Sequence, residues 1–122
     1  PVLVTVGASG QTAGPDNSLQ AQPARAIERA CEKQGIAPAD LDVVEINEAF
    51  GAVVARSQVE LGLSSDVVNI HGGGIAIGHP IGASGTRLVV HVAHELARRG
   101  SGTAAVGLCG GGGQGEALIL TR

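Results

Sequence analysis

Short apolar runs alternate with segments of helical periodicity along this chain, and glycine or proline separates most of them. Five runs are predicted as β-strands: Val2–Val6, Leu41–Ile46, Val67–Ile70, Thr103–Cys109 and Glu116–Leu120. The first, which is apolar and β-branched, is expected to be buried on both faces. Three helices are predicted between the first four strands: Pro23 to Gln34, a helix capped by Asn47 that ends at Leu61, and Leu88 to Arg99. The order βαβαβαββ predicts an α/β fold with a five-stranded mixed sheet, mostly parallel, and helices on both faces. The last two strands are expected to form an antiparallel hairpin, because few residues separate them.

A chain of 122 residues is long enough to build one hydrophobic core. Phe50 is its only aromatic residue, so that core must consist of small aliphatic side chains. The formal charge of −3 and the scattered basic residues argue against a nucleic-acid partner. No apolar run approaches the ~18 residues of a membrane helix, so no membrane insertion is expected.

The two cysteines, Cys31 and Cys109, lie in very different surroundings and do not suggest a disulfide framework. Free cysteines are typical of a reducing compartment, which predicts an intracellular, cytoplasmic protein. Cys31 lies on the apolar face of a predicted helix, where a thiol behaves as a core residue. The chain begins at Pro1, directly inside a strand-like run, which favours a fragment or processed product that another segment precedes.

Three polar or glycine-rich segments follow the ends of predicted strands. They are Asn47-Glu48-Ala49-Phe50, Gly78-His79-Pro80 and the run CGGGGQG from Cys109 to Gly115. Ligands of open α/β sheets bind beyond the carboxyl ends of the strands, so these segments are expected to share one rim of the sheet. An amide, an imidazole, a thiol and free backbone N–H groups on that rim would be suited to acyl transfer.

The blocks NEAF, GGGIAIGHPIGASGTR and CGGGGQGEA, in this order and at these separations, resemble the C-terminal signature blocks of thiolases. The resemblance covers essentially the whole chain, and it implies that residues 1–122 are a thiolase C-terminal domain with a thiolase-like fold. It also implies that the N-terminal half, which carries the nucleophilic cysteine of the family, is absent. Ketoacyl synthases share the fold but usually have histidine in place of this cysteine, and sterol-carrier-type relatives tend to depart from the NEAF block.

The resemblance assigns the chemistry to four residues. His79 would take the proton of the nucleophilic cysteine, and its ring N–H would then help to hold the substrate oxygen. Asn47 would hold a water that supplies the second donor of this oxyanion site. Cys109 would be the second acid/base, for which its thiol pKa must come near working pH. The backbone N–H of Gly111 would contribute to a second oxyanion hole.

Each of these side chains also has a structural interpretation. His79 could instead hydrogen-bond a neighbouring turn, and Cys109 could be a buried residue at a strand end. Asn47 could serve only as a helix cap, although both roles can coexist. Glu48 is expected to bind groups of the loops at a helix start.

His91 and His94, three residues apart on a predicted helix, suggest a zinc site together with His71. No cysteine or carboxylate pattern completes that set, so no metal is expected. The run CGGGGQG contains the dinucleotide pattern GxGxxG, but a strand is predicted after it where a dinucleotide site requires a helix.

The leading hypothesis is the C-terminal catalytic part of a thiolase, which cleaves 3-ketoacyl-CoA with CoA or runs the reverse Claisen condensation. Ala49 and Phe50 would then line the slot for the reacting thioester. The expected partners are CoA, acyl-CoA and the N-terminal thiolase half, with a homo-oligomer in the full protein and no further cofactor. The isolated chain is expected to be inactive, because it lacks the nucleophile. The alternative is a non-catalytic module with a thiolase-like fold that binds CoA, acyl-CoA or another protein.

Overall fold

A four-stranded sheet forms the centre of the molecule in a computed structural model that describes residues 1–122. Its strands are β1 Thr5–Ala13, β2 Val43–Ile46, β3 Thr103–Gly110 and β4 Gln114–Thr121, and they lie in the order β1-β4-β3-β2. The helices are α1 Gln22–Gln34, α2 Gly51–Leu61, the short α3 Gly74–Ile77 and α4 Ser84–Arg99, with a 3-10 turn at Pro38–Asp40. None of these helices combines the length and the apolarity needed to cross a membrane. Strands β3 and β4 form the predicted antiparallel hairpin.

Side chains of the central strands point alternately into two hydrophobic clusters, one on each face of the sheet. Helices α1 and α2 cover the cluster that contains Val44, Ile46, Ala105, Ala117 and Ile119. Helix α4 covers the other, which contains Val43, Ala104, Val106 and Leu120. The α/β class is therefore confirmed, and helices lie on both faces of the sheet.

The prediction of five strands is wrong, because Val67–Ile70 does not form a strand. Val68 makes only an isolated bridge to Val44. The next residue, Asn69, has a φ of 48°, in the left-handed region, so the backbone turns away from β2. Its side chain takes over the pairing instead, since Oδ1 accepts the Ile46 N–H at 2.8 Å and Nδ2 donates to the Ile46 oxygen at 2.9 Å. With this strand gone, only β2 and β3 run parallel, so the sheet is not mostly parallel.

The first strand also differs from the prediction, because it spans Thr5–Ala13 instead of Val2–Val6. It is an edge strand that pairs only with β4, and Val2 and Val6 are 81% and 63% exposed where burial on both faces was expected. Residues 7–13 have a loop-like composition, but β4 pairs with residues 9–13 after an irregularity in register between Val6 and Ser9. Helix α1 packs so closely on Gly10 that an added Cβ would collide with the Ala26 carbonyl oxygen.

The helix boundaries decide what Asn47 does. Helix α2 begins only at Gly51, and Phe50 occupies its N-cap position without a side-chain hydrogen bond. The interpretation of Asn47 as the cap of this helix is therefore wrong. Helix α4 begins at Ser84, four residues earlier than predicted, while Gly62 ends α2 in the left-handed conformation as expected.

Candidate active site

Asn47 and Cys109 lie at the carboxyl end of the parallel strand pair. Asn47 directly follows β2, and Cys109 is the second-last residue of β3. The Asn47 N–H donates to the Gly107 carbonyl at 2.9 Å, so the ladder between the two strands continues to the site residue itself. The strand-end rule applied to the sequence thus placed both residues at the correct edge of the sheet.

His79 reaches this edge from the loop between α3 and α4. Each of its two ring nitrogens lies 3.4 Å from Asn47 Nδ2, and Nδ1 lies 2.5 Å from Ser84 Oγ. The His79 residue is exposed, whereas Asn47 and Ser84 are fully buried. An accessible imidazole is therefore held by two buried polar side chains, one at a strand end and one at a helix start.

The Asn47 amide has a free acceptor. Its Oδ1 is buried and has no hydrogen-bond partner within the chain. Buried polar atoms are nearly always paired, so this oxygen requires a partner from outside the protein atoms, such as water or substrate. That requirement is compatible with the water-holding role that the sequence resemblance implies for Asn47.

Glu48 and Asn69 connect the separate loops of the site. Glu48 Oε2 accepts the Ile75 N–H at 2.9 Å, and its Oε1 accepts from Asn69 Nδ2 at 3.3 Å. An added Cβ on Gly73 would lie only 3.0 Å from the Glu48 carboxyl carbon. The expectation that Glu48 binds loop groups is confirmed, although its helical partner is α3 and not α2. Asn69 was not singled out from the sequence, because an asparagine at the end of a short apolar run carries no motif.

The Cys109 thiol is half-buried and makes no hydrogen bond to His79 or Asn47. Burial raises the pKa of Cys109, and a backbone hydrogen bond offsets this only in part. The sequence-based role requires a thiol pKa near working pH, and the surroundings within this chain act in the opposite direction. Cys31 is 1% exposed in the core, as predicted, and burial is also the main reason that its pKa is raised.

The glycines of the turn between β3 and β4 differ in whether backbone conformation or close packing requires glycine. Gly112 and Gly113 have φ values of 84° and 77°, which other residues rarely adopt. An added Cβ on Gly113 would also collide with the Asp16 carbonyl oxygen. Gly111 has neither constraint: a Cβ there would meet no atom within 4 Å, and its N–H donates to no acceptor within the chain. The fold explains Gly112 and Gly113 but not Gly111, whose N–H is available to an external acceptor.

The two residues expected to contact substrate lie just before α2. Phe50 is 64% exposed and Ala49 is half-buried. An exposed aromatic ring beside a polar site has no partner within the chain that would explain its position. Both side chains are accessible at the same edge of the sheet as Asn47.

A second polar cluster lies under the α4 face, and it adds Glu45, which was not singled out from the sequence, to His71 and His91. Glu45 of β2 is fully buried, and burial raises its pKa to about 7 despite the nearby Arg87 guanidinium. His91 Nε2 lies 3.4 Å from Glu45 Oε1 and 3.2 Å from His71 Nδ1. Burial, followed by the charges of His71 and Arg87, lowers the pKa of His91. Glu45 and His91 both therefore favour their neutral forms.

The histidines do not assemble the zinc site considered for His71, His91 and His94. His71 and His91 are in contact, but His94 is exposed and bonds to neither. No group of three or more metal-ligating side chains is arranged to hold a metal ion anywhere in the chain. The glycine run after Cys109 forms a hairpin turn and not a helix start, so the GxGxxG match is not a dinucleotide site.

Comparison with known proteins agrees with the order of the sequence blocks. Over residues 1–122 the chain matches the family described as thiolase, C-terminal domain. A "probable acetyl-CoA acetyltransferase" of Mycobacterium leprae is 59% identical over 118 residues, which are 97% of this chain and 30% of that protein. A cytosolic acetyl-CoA acetyltransferase of Rattus norvegicus is 51% identical over 100 residues, or 82% of this chain and 25% of that protein.

The fold has close counterparts among solved structures. Human mitochondrial 3-ketoacyl-CoA thiolase in complex with CoA superposes with a TM-score of 0.93 and 40% sequence identity, over 98% of this chain and 30% of the human chain. Another crystal structure of the human enzyme gives a TM-score of 0.91 with 36% identity. The chain thus spans less than a third of the length of these relatives.

Proposed function

This chain belongs to the thiolase C-terminal domain family, and on that premise we propose that it supplies the proton-transfer groups of an acyl-CoA acyltransferase within a longer protein. The reaction would be cleavage of a 3-ketoacyl-CoA by CoA, or the reverse Claisen condensation. The observation that carries the proposal is the contact of Asn47 with His79 at the carboxyl end of β2, where the amide nitrogen lies 3.4 Å from each ring nitrogen. An imidazole and a non-titrating amide side by side are suited to hold an oxygen on which negative charge develops.

The proposed cleavage divides the protons between His79 and Cys109. His79 accepts the thiol proton of a nucleophilic cysteine outside this chain, and that sulfur attacks the 3-keto carbon. The bond between the α and β carbons then breaks, and the resulting enolate of acetyl-CoA takes a proton from Cys109 at its α-carbon. The Cys109 thiolate next accepts the proton of the CoA thiol, whose sulfur displaces the acyl group from the nucleophile. The released sulfur of the nucleophile takes back the proton that His79 accepted, so neither residue is consumed.

The oxygens of these intermediates need hydrogen-bond donors. The His79 ring N–H and a water held by Asn47 would hold the enolate oxygen, and the free Gly111 N–H would hold the oxygen of the attacked carbonyl. Ala49 and Phe50 would line the slot for the thioester, which is supported by the exposure of the Phe50 ring. The pKa of Cys109 must then be lowered by groups that this chain does not contain, because burial alone raises it.

The cellular setting is proposed from the relatives. Rat and mouse proteins named cytosolic acetyl-CoA acetyltransferase are 51% and 49% identical to this chain over 100 residues, which supports a cytoplasmic location. The partners would be CoA, acyl-CoA and an N-terminal thiolase half with the nucleophile, and the full protein would be a homo-oligomer. The chain alone would be inactive.

A chimera tests the proposal. The corresponding part of the Mycobacterium leprae relative, 30% of its length, is replaced by this chain, and thiolysis of acetoacetyl-CoA is measured for the chimera and for the isolated chain. The chimera is expected to turn over and the isolated chain is not. Appreciable His79-dependent turnover by the isolated chain would refute a nucleophile located elsewhere. A folded chimera that binds CoA without turnover would instead support a non-catalytic binding module.

A further inference from the structure

The Ser84 hydroxyl lies between a ring nitrogen that can accept or donate and a carbonyl oxygen that can only accept, and it has one proton to donate. Its Oγ is 2.5 Å from His79 Nδ1 and 3.2 Å from the Pro80 carbonyl oxygen. Ser84 is fully buried at the first turn of α4, so water does not compete for this hydroxyl. The direction of its proton therefore decides whether Nδ1 of His79 accepts or donates a hydrogen bond, and thereby which ring nitrogen carries the proton.

The Pro80 oxygen already has its full set of donors. The backbone N–H groups of Ala83 and Ser84 both donate to it, each at 2.9 Å. A carbonyl oxygen has two lone pairs, so a hydroxyl at 3.2 Å would be a third and longer bond. The shorter contact, at 2.5 Å, is to His79 Nδ1, and it favours donation by the hydroxyl to that ring nitrogen. A neutral ring that accepts at Nδ1 must carry its proton on Nε2.

The other neighbour of the ring does not influence this choice. Asn47 Nδ2 is 3.4 Å from Nδ1 and 3.4 Å from Nε2. An atom equally far from both ring nitrogens cannot lie along either lone pair, so the amide does not select a tautomer. The tautomer of His79 is consequently set on the Ser84 side alone.

We propose that Ser84 is a positioning residue that sets the proton pattern of His79 and lets the ring serve in turn as hydrogen-bond donor and as base. With the hydroxyl directed to Nδ1, Nε2–H is the donor form. When the Ser84 hydroxyl turns to donate to Pro80, Ser84 Oγ can accept a hydrogen bond from Nδ1–H. The exposed ring reaches this tautomer by exchanging its proton with water. Nε2 then carries a free lone pair and can act as a base. The same arrangement accommodates the doubly protonated ring.

The choice of a hydroxyl has a chemical reason. A carboxylate at this position could only accept, and it would hold the proton on Nδ1 as in a Ser-His-Asp triad. A hydroxyl donates in one state and accepts in the other. The catalytic meaning of this inference rests on the proposed function, whereas the assignment of the tautomer does not.

The first experiment reads the tautomer directly in this chain. Histidine labelled with ¹⁵N is observed by long-range ¹⁵N–¹H correlation at about pH 8.5, well above the ordinary imidazole pKa of ~6.5. The expected His79 pattern has its proton on Nε2 and a hydrogen-bonded, unprotonated Nδ1. In Ser84→Ala the Nδ1 resonance should move to the position of a free lone pair, and the share of the Nδ1–H form should rise.

Two further variants serve as controls for the tautomer measurement. Ser84→Thr retains the hydroxyl and should restore the unsubstituted pattern. Thr86→Ala removes an exposed hydroxyl that bonds to nothing, only two residues along α4, and should change nothing. A proton on Nδ1 in the unsubstituted chain, or a Ser84→Ala spectrum identical to it, overturns the proposal. If Ser84→Ala does not fold, the unsubstituted chain and Ser84→Thr still decide the tautomer.

The second experiment measures thiolysis in the chimera. Ser84→Ala should lower kcat by on the order of tenfold or more with little change in KM, and Ser84→Thr should recover most of that loss. A rate for Ser84→Ala within twofold of the parent chimera overturns the positioning role. If the unsubstituted chimera is inactive while the tautomer pattern is as expected, the proposed function fails and the hydrogen-bond assignment stands.

Discussion

The two sides of the candidate site are built in different ways. The histidine side consists of Asn47, Glu48, Asn69, His79 and Ser84, and the hairpin side consists of residues 109–113. Side-chain hydrogen bonds join Glu48 to Asn69 and His79 to Ser84, and the buried Asn47 amide contacts the His79 ring. On the hairpin side the thiol of Cys109 makes no hydrogen bond to the catalytic candidates, and the Gly111 N–H has no acceptor within the chain.

This difference indicates which part of the site is preorganised by the chain itself. Polar groups that are held by buried partners keep one geometry before substrate arrives. The hairpin side presents its thiol and its N–H without such partners, so the roles proposed for Cys109 and Gly111 depend on groups outside this chain. Substitutions on the histidine side should therefore affect the stability of the isolated chain, whereas Gly111→Ala on the hairpin side should affect only turnover.

The largest expected effect is on turnover, and substitution of the acid/base residue on either side should lower it to a similar extent. In the chimera, His79→Ala and Cys109→Ala should each lower kcat/KM by at least ~10²-fold, because each removes an acid/base group. His94→Ala is the matched control, since His94 is an exposed histidine of α4 outside the site. A near-normal rate for either catalytic variant would show that its assigned role is wrong.

Asn69→Ala should show that the histidine side contributes to the free energy of unfolding. Its side chain makes hydrogen bonds to the Ile46 N–H, the Ile46 oxygen and Glu48. Loss of three such bonds should lower the free energy of unfolding of the isolated chain by about 2–3 kcal/mol, measured by urea denaturation. Asn17→Ala, at an exposed asparagine without side-chain hydrogen bonds, should have no measurable effect. Equal stabilities of the two variants would contradict a structural role for Asn69.

Glu45, buried beside His91 of α4, should make stability depend on pH. The pKa of Glu45 is raised to about 7 by burial, so between pH ~4.5 and 7 the folded chain holds a proton that the unfolded chain releases. Its contribution to stability is therefore fully present below pH ~4.5 and falls as pH rises through this window. Glu45→Gln should remove that fall and raise the free energy of unfolding at pH 7.5 by on the order of 1–3 kcal/mol.

The measurement is urea denaturation of the isolated chain at several pH values across this window. Glu32→Gln is the control, because Glu32 is exposed on α1 and makes no side-chain hydrogen bond. If Glu45→Gln keeps the slope of the unsubstituted chain, Glu45 is not the group that titrates.

The smallest effect is expected at Gly111. Gly111→Ala should leave the free energy of unfolding unchanged within ~0.5 kcal/mol, because an added Cβ meets no atom within 4 Å. In the chimera the methyl group would hinder the approach of substrate to the N–H and lower kcat/KM roughly tenfold. Gly82→Ala, which also adds a Cβ in open space, should leave both stability and rate unchanged. A destabilised Gly111→Ala chain would contradict the description of the hairpin side as open.

The sequence predicted the proximity of Asn47 and His79 better than it predicted the strands of the sheet. Asn47 and His79 could be assigned to one edge because the carboxyl ends of parallel strands lie at the same edge of a sheet. Both residues also lie in blocks that resemble thiolase signature sequences. Asn69 and Ser84 could not be found in this way. Their importance lies in which atoms they touch, and those contacts join residues that are 23 and 5 positions apart in the chain.

The sequence by itself determined the three long helices, the β3–β4 hairpin and the ordered blocks that place an amide, an imidazole and a thiol at strand ends. These features depend on local periodicity and turn chemistry. Only the tertiary structure decided which apolar runs became strands, since a strand exists only where a neighbour offers its edge. Residues 9–13 gained such a neighbour in β4, whereas at Val67–Ile70 the Asn69 side chain took the place of the backbone. In the proposal above, the tertiary structure also decides which ring nitrogen of His79 carries the proton. The Pro80 oxygen already has two backbone donors, so the Ser84 hydroxyl is directed to His79 Nδ1.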